Sequence, residues 1–104
     1  MVNEFPEIIT LCGSTKFKDK FLDVLKRLTL EGKIVLMPGV FAHFDEVLIN
    51  KIQKERLDEL HLRKIDLSDS IYVINEEKYI GESTNREIEY ALGKNKKVYY
   101  LIND

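Results

Sequence analysis

The residues best suited to chemistry lie in two short segments, Cys12-Gly13-Ser14-Thr15-Lys16 and Gly81-Glu82-Ser83-Thr84-Asn85-Arg86-Glu87-Ile88-Glu89-Tyr90-Ala91. The first brings a glycine, two hydroxyls and a cation to the point where an apolar run gives way to a helical pattern. Backbone N–H groups at a helix start attract anions, glycine permits close approach, and Lys16 or Lys18 adds charge, so a phosphate or sugar hydroxyl fits there. The same residues also suit a purely architectural task, with Ser14 or Thr15 capping the helix and Gly13 making the turn. Neither the GxxxxGK[ST] nor the GxGxxG spacing is present.

The second segment offers a carboxylate. A helix beginning near Ser83 or Thr84 and running to Gly93 would carry Ile88, Ala91 and Leu92 toward the core, leaving Glu87 in its first turn at the border of a crevice. The helix N-terminus would keep that carboxylate ionised, the state a nucleophile toward an electron-poor carbon requires. Thr84-x-x-Glu87 reads equally as a capping box, in which the glutamate bonds the backbone N–H of the capping threonine.

These segments need elements to hold them. Four apolar runs rich in β-branched residues or tyrosine, Ile8 to Cys12, Ile34 to Met37, Ile71 to Ile74 and Val98 to Ile102, do not alternate with polar residues. They read as strands buried on both faces, which is the condition of a parallel sheet. Between them, Phe17, Phe21, Val24, Leu25 and Leu28 recur at helical spacing up to a stop at Glu31-Gly32-Lys33. A longer segment from Glu46 to Leu67 carries Leu48, Ile52, Leu60 and Ile65 in a looser pattern. The order is βαβαβαβ over one domain, residues 1–104, with no repeat and no linker. It predicts an α/β flavodoxin-like (Rossmann-like) three-layer sandwich with four parallel strands in the order 2-1-3-4. In such a sheet ligands bind where the winding reverses, outside the ends of strands 1 and 3. That rule selects Gly13 to Lys16 and the loop from Asn75 to Thr84.

In this setting the chain resembles the nucleoside 2-deoxyribosyltransferase-like superfamily, which includes the deoxynucleoside 5'-monophosphate N-glycosidases. The resemblance rests on Cys-Gly-Ser at 12–14, Ser68-Asp69-Ser70-Ile71-Tyr72-Val73-Ile74, and Gly-x-x-x-x-x-Glu-Ile-x-Tyr-Ala at 81–91. It implies cleavage of the bond between a base and a deoxyribose, with Glu87 attacking C1' to form a glycosyl-enzyme that water or a second base resolves. It also implies sugar or phosphate contacts from Ser14, Ser83 and Thr84, and a homodimer or larger assembly. Two positions depart from the pattern. Gly81 stands where the transferases carry an aspartate, and His61 stands where an acidic residue handling the base or sugar is expected. A histidine there could protonate a departing base, or simply sit on the exposed face of a helix. A ribonucleoside-monophosphate phosphoribohydrolase is a more distant enzymatic alternative, and a nucleotide-binding module without catalysis is a non-enzymatic one.

The remaining residues narrow the field. Phe41 and Phe44, after strand 2, could face a base or cover the sheet edge. His43 and Asp45 lack partners at ligand spacing, so neither a metal nor another cofactor is expected. Cys12 reads as a small core residue. The chain is 44% hydrophobic and 33% charged, which fits a globular domain. Sixteen basic and 18 acidic residues leave a formal charge of -2, so no global field favours nucleic acid or an anionic membrane. A lone cysteine, an N-terminal MVNEFPE without a leader's basic and apolar regions, and the lack of a spanning apolar run predict a cytoplasmic protein; the resemblance implies a small nucleoside or nucleotide as its partner.

Overall fold

The computed structural model describes residues 4–103; Met1 to Asn3, the start of the stretch read above for a leader, and Asp104 lie outside the described residues. The elements run β1 (Ile8–Gly13), α1 (Lys18–Leu30), β2 (Ile34–Leu36), α2 (Lys51–Leu67), β3 (Ser70–Ile74), α3 (Glu82–Gly93) and β4 (Lys97–Tyr100). Short 3-10 turns at Thr15–Phe17 and Glu76–Lys78 follow β1 and β3. The sheet is parallel throughout in the order β2-β1-β3-β4, a flavodoxin-like α/β sandwich, with Leu11 opposite Tyr72 and Tyr72 opposite Tyr99. The winding therefore reverses between β1 and β3, as expected for a flavodoxin-like order.

Side chains alternate across each strand, so β1 feeds two different layers. Ile9 and Leu11 join Phe21, Val24 and Leu28 of α1, together with Phe41 and Ile74, in one apolar cluster. On the other side Cys12 joins Ile65 of α2, Ile88 and Ala91 of α3, and Ile71 and Val73 of β3. Phe41 settles the choice left open above: its ring packs edge-on to Phe21 at 5.1 Å between centroids, inside the α1 layer. Phe44 is exposed.

Three helical expectations need correction. Helix α3 begins at Glu82 with Gly81 as its N-cap, so Thr84 lies inside the helix and the Thr84-x-x-Glu87 capping box does not form. Leu92 is 58% exposed because α3 turns only Thr84, Ile88 and Ala91 fully inward. The segment from Glu46 is non-helical up to Asn50, whose side chain accepts from the Gln53 N–H while Gln53 returns a bond to the Asn50 N–H. This reciprocal pair satisfies two otherwise orphaned donors and sets where α2 starts. Of the apolar residues read as its core face, Ile65 is fully buried, whereas Leu48, Ile52 and Leu60 are exposed. Among the described residues no helix is long and apolar enough to cross a membrane.

Candidate functional site

A cavity of about 520 Å³ opens beyond the ends of β1 and β3, between the β2–α2 connection, α2 and the start of α3. Its size suits one small ligand. Gly13, Ser14 and Thr15 line it from β1, and Gly81, Ser83, Thr84 and Glu87 from α3, so both segments singled out above converge there. Gly13 cannot be replaced without movement, since a Cβ at this position would stand 2.8 Å from the Ile74 carbonyl oxygen. The architectural reading of the first loop holds for the 3-10 turn alone, where Ser14 Oγ accepts weakly from the Lys16 N–H at 3.4 Å; α1 itself starts after Phe17 with no side-chain cap. Thr15 Oγ1 accepts from the His43 N–H at 3.4 Å, joining that loop to the β2–α2 connection. Lys18 pairs with Asp45 at 3.0 Å and fastens the same junction.

Two residues expected at the ligand are placed elsewhere. Lys16 lies outside the cavity wall with its ammonium 3.8 Å from the centre of the Tyr79 ring, a cation–π contact that holds it away. Asn75 is buried, its side chain donating to the Ile102 carbonyl at 3.0 Å and accepting the Ile102 N–H at 2.9 Å. It secures the end of β3 to the chain beyond β4 rather than reaching a substrate. Arg86 leans away as well, toward Glu82 and Ser83 Oγ.

Helix α2 contributes more than the sequence reading assigned to it. Lys54, Leu57, Asp58, His61 and Lys64 recur at three- and four-residue spacing and all face the cavity. The signal was available as a polar stripe in register with the buried Ile65, but apolar periodicity points to the wrong side of this helix. Lys64 donates from Nζ to the Met37 carbonyl at 2.8 Å, and Lys54 pairs with Asp58 at 3.1 Å. The apolar wall comes from Pro38, Val40, Ala42, Ile49 and Leu57.

At the cavity floor three side chains from three elements meet. Cys12 Sγ lies 3.3 Å from His61 Nε2, and His61 Nε2 lies 3.6 Å from Glu87 Oε1. Burial pushes the Glu87 carboxyl up to about 7, reinforced by the Asp58 charge and eased by a bond from the Cys12 thiol. Burial likewise pushes His61 down to about 4, helped by the Lys64 ammonium. The Cys12 thiol is raised by burial and then by Glu87. His61 and Glu87 are thus not an ion pair at neutral pH, because the imidazole there is neutral. Two expectations change accordingly. Glu87 lies in the second turn of α3, beyond the main reach of the helix end, so desolvation rather than the dipole governs its charge. His61 is buried and uncharged at neutral pH, and its Nε2 is directed at Cys12 and Glu87 at the edge of the cavity that it lines.

The arrangement can hold a small polar molecule between an apolar wall and the uncapped start of α3, with one carboxyl that gains and loses its proton near neutrality. No family model and no curated protein matches the chain.

Proposed function

We propose that the chain cleaves or transfers across the N-glycosidic bond of a nucleoside or nucleotide, as a member of the nucleoside 2-deoxyribosyltransferase-like superfamily. The observation that carries the reading is the Glu87 carboxyl at the cavity floor, 18% exposed and free of the capping role that would have explained it otherwise. In its ionised form Glu87 attacks C1', the C1'–N bond breaks, and its electron pair leaves with the base, which takes a proton from water. Water or a second base then adds at C1' and returns the carboxylate. Poised near neutrality, this carboxyl is available in the reactive state without a permanently buried charge.

The cavity wall supports the rest of the assignment. Gly81 brings no side chain to the α3 N-terminus, so the N–H groups of the first turn are free to meet a phosphate, with Ser14 and Ser83 lining the same cavity. Lys54, paired with Asp58, supplies a cation on the same wall. Leu48 just before α2 and Ile52 and Leu67 on it, all exposed, suit packing against a second copy of the chain. A reducing cytoplasm is the fitting location for a buried free thiol.

A panel of nucleosides and deoxynucleoside 5'-monophosphates, followed chromatographically for free base, tests the reading. Base release by the native protein should fall at least about 10³-fold in Glu87→Gln, the order of loss expected when a covalent nucleophile is removed. Ligand binding without base release from any substrate would instead favour a nucleotide-binding module. That alternative draws on the missing side chain at Gly81 and on a His61 whose Nε2 is already engaged by Cys12.

A further inference from the structure

The glycosidic chemistry leaves Cys12 unused, although its sulfur stands beside the two most strongly perturbed groups of the cavity floor. We propose that Cys12, His61 and Glu87 form a binding site for one divalent cation of borderline softness, with zinc as the type. Their ligand atoms, one thiol sulfur, one imidazole nitrogen and one carboxylate oxygen, all lie within 4.8 Å of one another. A tetrahedral zinc ion with bonds of about 2.0 to 2.3 Å spaces its ligands about 3.3 to 3.6 Å apart. The sulfur-to-nitrogen and nitrogen-to-oxygen separations are 3.3 and 3.6 Å.

Charge and accessibility agree with the spacing. A thiolate, a carboxylate and a neutral imidazole balance a 2+ ion, whereas without a cation three electron-rich atoms must share protons in a place largely removed from water. On binding, the ion replaces the Cys12 S–H proton, and the Glu87 proton where one is held, and both pass to buffer. His61 and Glu87 border the cavity, so a fourth coordination position opens toward it, as in zinc centres that exchange a water or an external ligand. The ligands sit on β1, α2 and α3, and packing of the Cys12, Ile65 and Ile88 cluster holds those elements together beside them. One consequence rests on the glycosidic reading: a bound ion occupies the Glu87 carboxylate and shuts off base release.

Cobalt(II) titration of the chelator-treated full chain reads the site directly. The expected result is saturation at one ion per chain, with visible bands of four-coordinate cobalt, a near-ultraviolet thiolate-to-cobalt transition, and loss of both when zinc is added. Cys12→Ser should abolish the thiolate transition, and His61→Asn should weaken zinc more than the roughly 10- to 100-fold that loss of an outer-shell partner costs. His43→Asn, which changes the other histidine of the chain, should keep the native spectrum. Circular dichroism establishes that each variant is folded, and the native protein is decisive by itself: no thiolate transition at saturating cobalt overturns the site. Zinc binding in a protein that releases no base from any substrate would sink the glycosidic reading and leave the metal site standing. Base release indifferent to saturating zinc would overturn Glu87 as a ligand.

Discussion

The two faces of β1 are built by opposite rules. Ile9 and Leu11 point toward α1 into a layer closed by Phe21, Val24, Leu28 and Phe41, all apolar. Thr10 and Cys12, their alternating neighbours, point toward α2 and α3 and meet Ser68, His61 and Glu87. Thr10 Oγ1 donates to the Lys64 carbonyl and shares a hydrogen bond with Ser68 Oγ, so the polar atoms deep in this layer are satisfied one by one. The α1 face supplies stability through area removed from water, while the α2–α3 face gives up part of that area to hold titratable groups at the cavity floor. The weak amphipathicity of α2 follows, since part of its polar stripe is needed inside beside Ile65 while Ile52 and Leu67 are left outside.

Truncating the first face should cost most in stability. Phe21→Ala removes a fully buried ring and should destabilise by about 3 to 5 kcal/mol in urea unfolding. A cost under about 1 kcal/mol would mean that the α1 layer is not the main source of cohesion.

Glu87→Gln should act the other way on stability while removing activity. Its folded carboxyl lies at about 7 against an ordinary 4.5, so the stabilising contribution is full below 4.5 and disappears as pH rises through 7. In metal-free protein the glutamine variant should gain on the native chain across that window, by up to about 3 kcal/mol above pH 7. A variant less stable than the native chain at pH 8 would contradict the desolvated carboxyl.

His61 provides the counterweight. Its folded value of about 4 lies below the ordinary 6.5, so its contribution is present above 6.5 and is lost as pH falls through 4. Between about pH 4.5 and 6.5 the two slopes oppose each other, and the native chain should show nearly level stability. With the carboxyl removed, the histidine slope stands alone, and Glu87→Gln should grow more stable with rising pH over the same range. Parallel profiles for the two proteins would show that one of these groups is not titrating as assigned.

The smallest effect falls on the second face. Thr10→Val keeps the shape and deletes the hydroxyl bonded to Lys64 and Ser68, for an expected cost of about 1 to 2 kcal/mol in the same unfolding measurement. No loss, or a gain, would show that the polar layer behaves as ordinary core.

Much of the architecture was legible. The unbroken apolar runs marked the four strands, although only β1 and β3 are buried on both faces while the edge strands β2 and β4 stay partly exposed, and the flavodoxin-like order expected for such a unit gave the winding reversal that brings Ser14 and Glu87 to one cavity. The errors share a cause. Thr84-x-x-Glu87 satisfied a local capping rule, but packing of Thr84 and Ile88 carries α3 back to Glu82, and the reciprocal cap that does form, Asn50 with Gln53, lay in a segment read by apolar spacing. Leu92, Ile52 and Leu60 fit helical periodicity yet face outward, because periodicity identifies a stripe and not the layer it meets. Lys16 and Asn75 were placed correctly along the chain, but the Tyr79 ring and the Ile102 backbone claim them.

Taken alone, the amino-acid order determined the elements, their parallel arrangement and the two loops at the reversal, since strand burial and short right-handed crossovers depend on local pattern. Only the tertiary structure decided the charge of Glu87, the direction of His61 and the meeting of both with Cys12. Those depend on water exclusion and on distances of a few ångströms between groups from three separate elements, with Cys12 and His61 49 residues apart, and no local spacing encodes them.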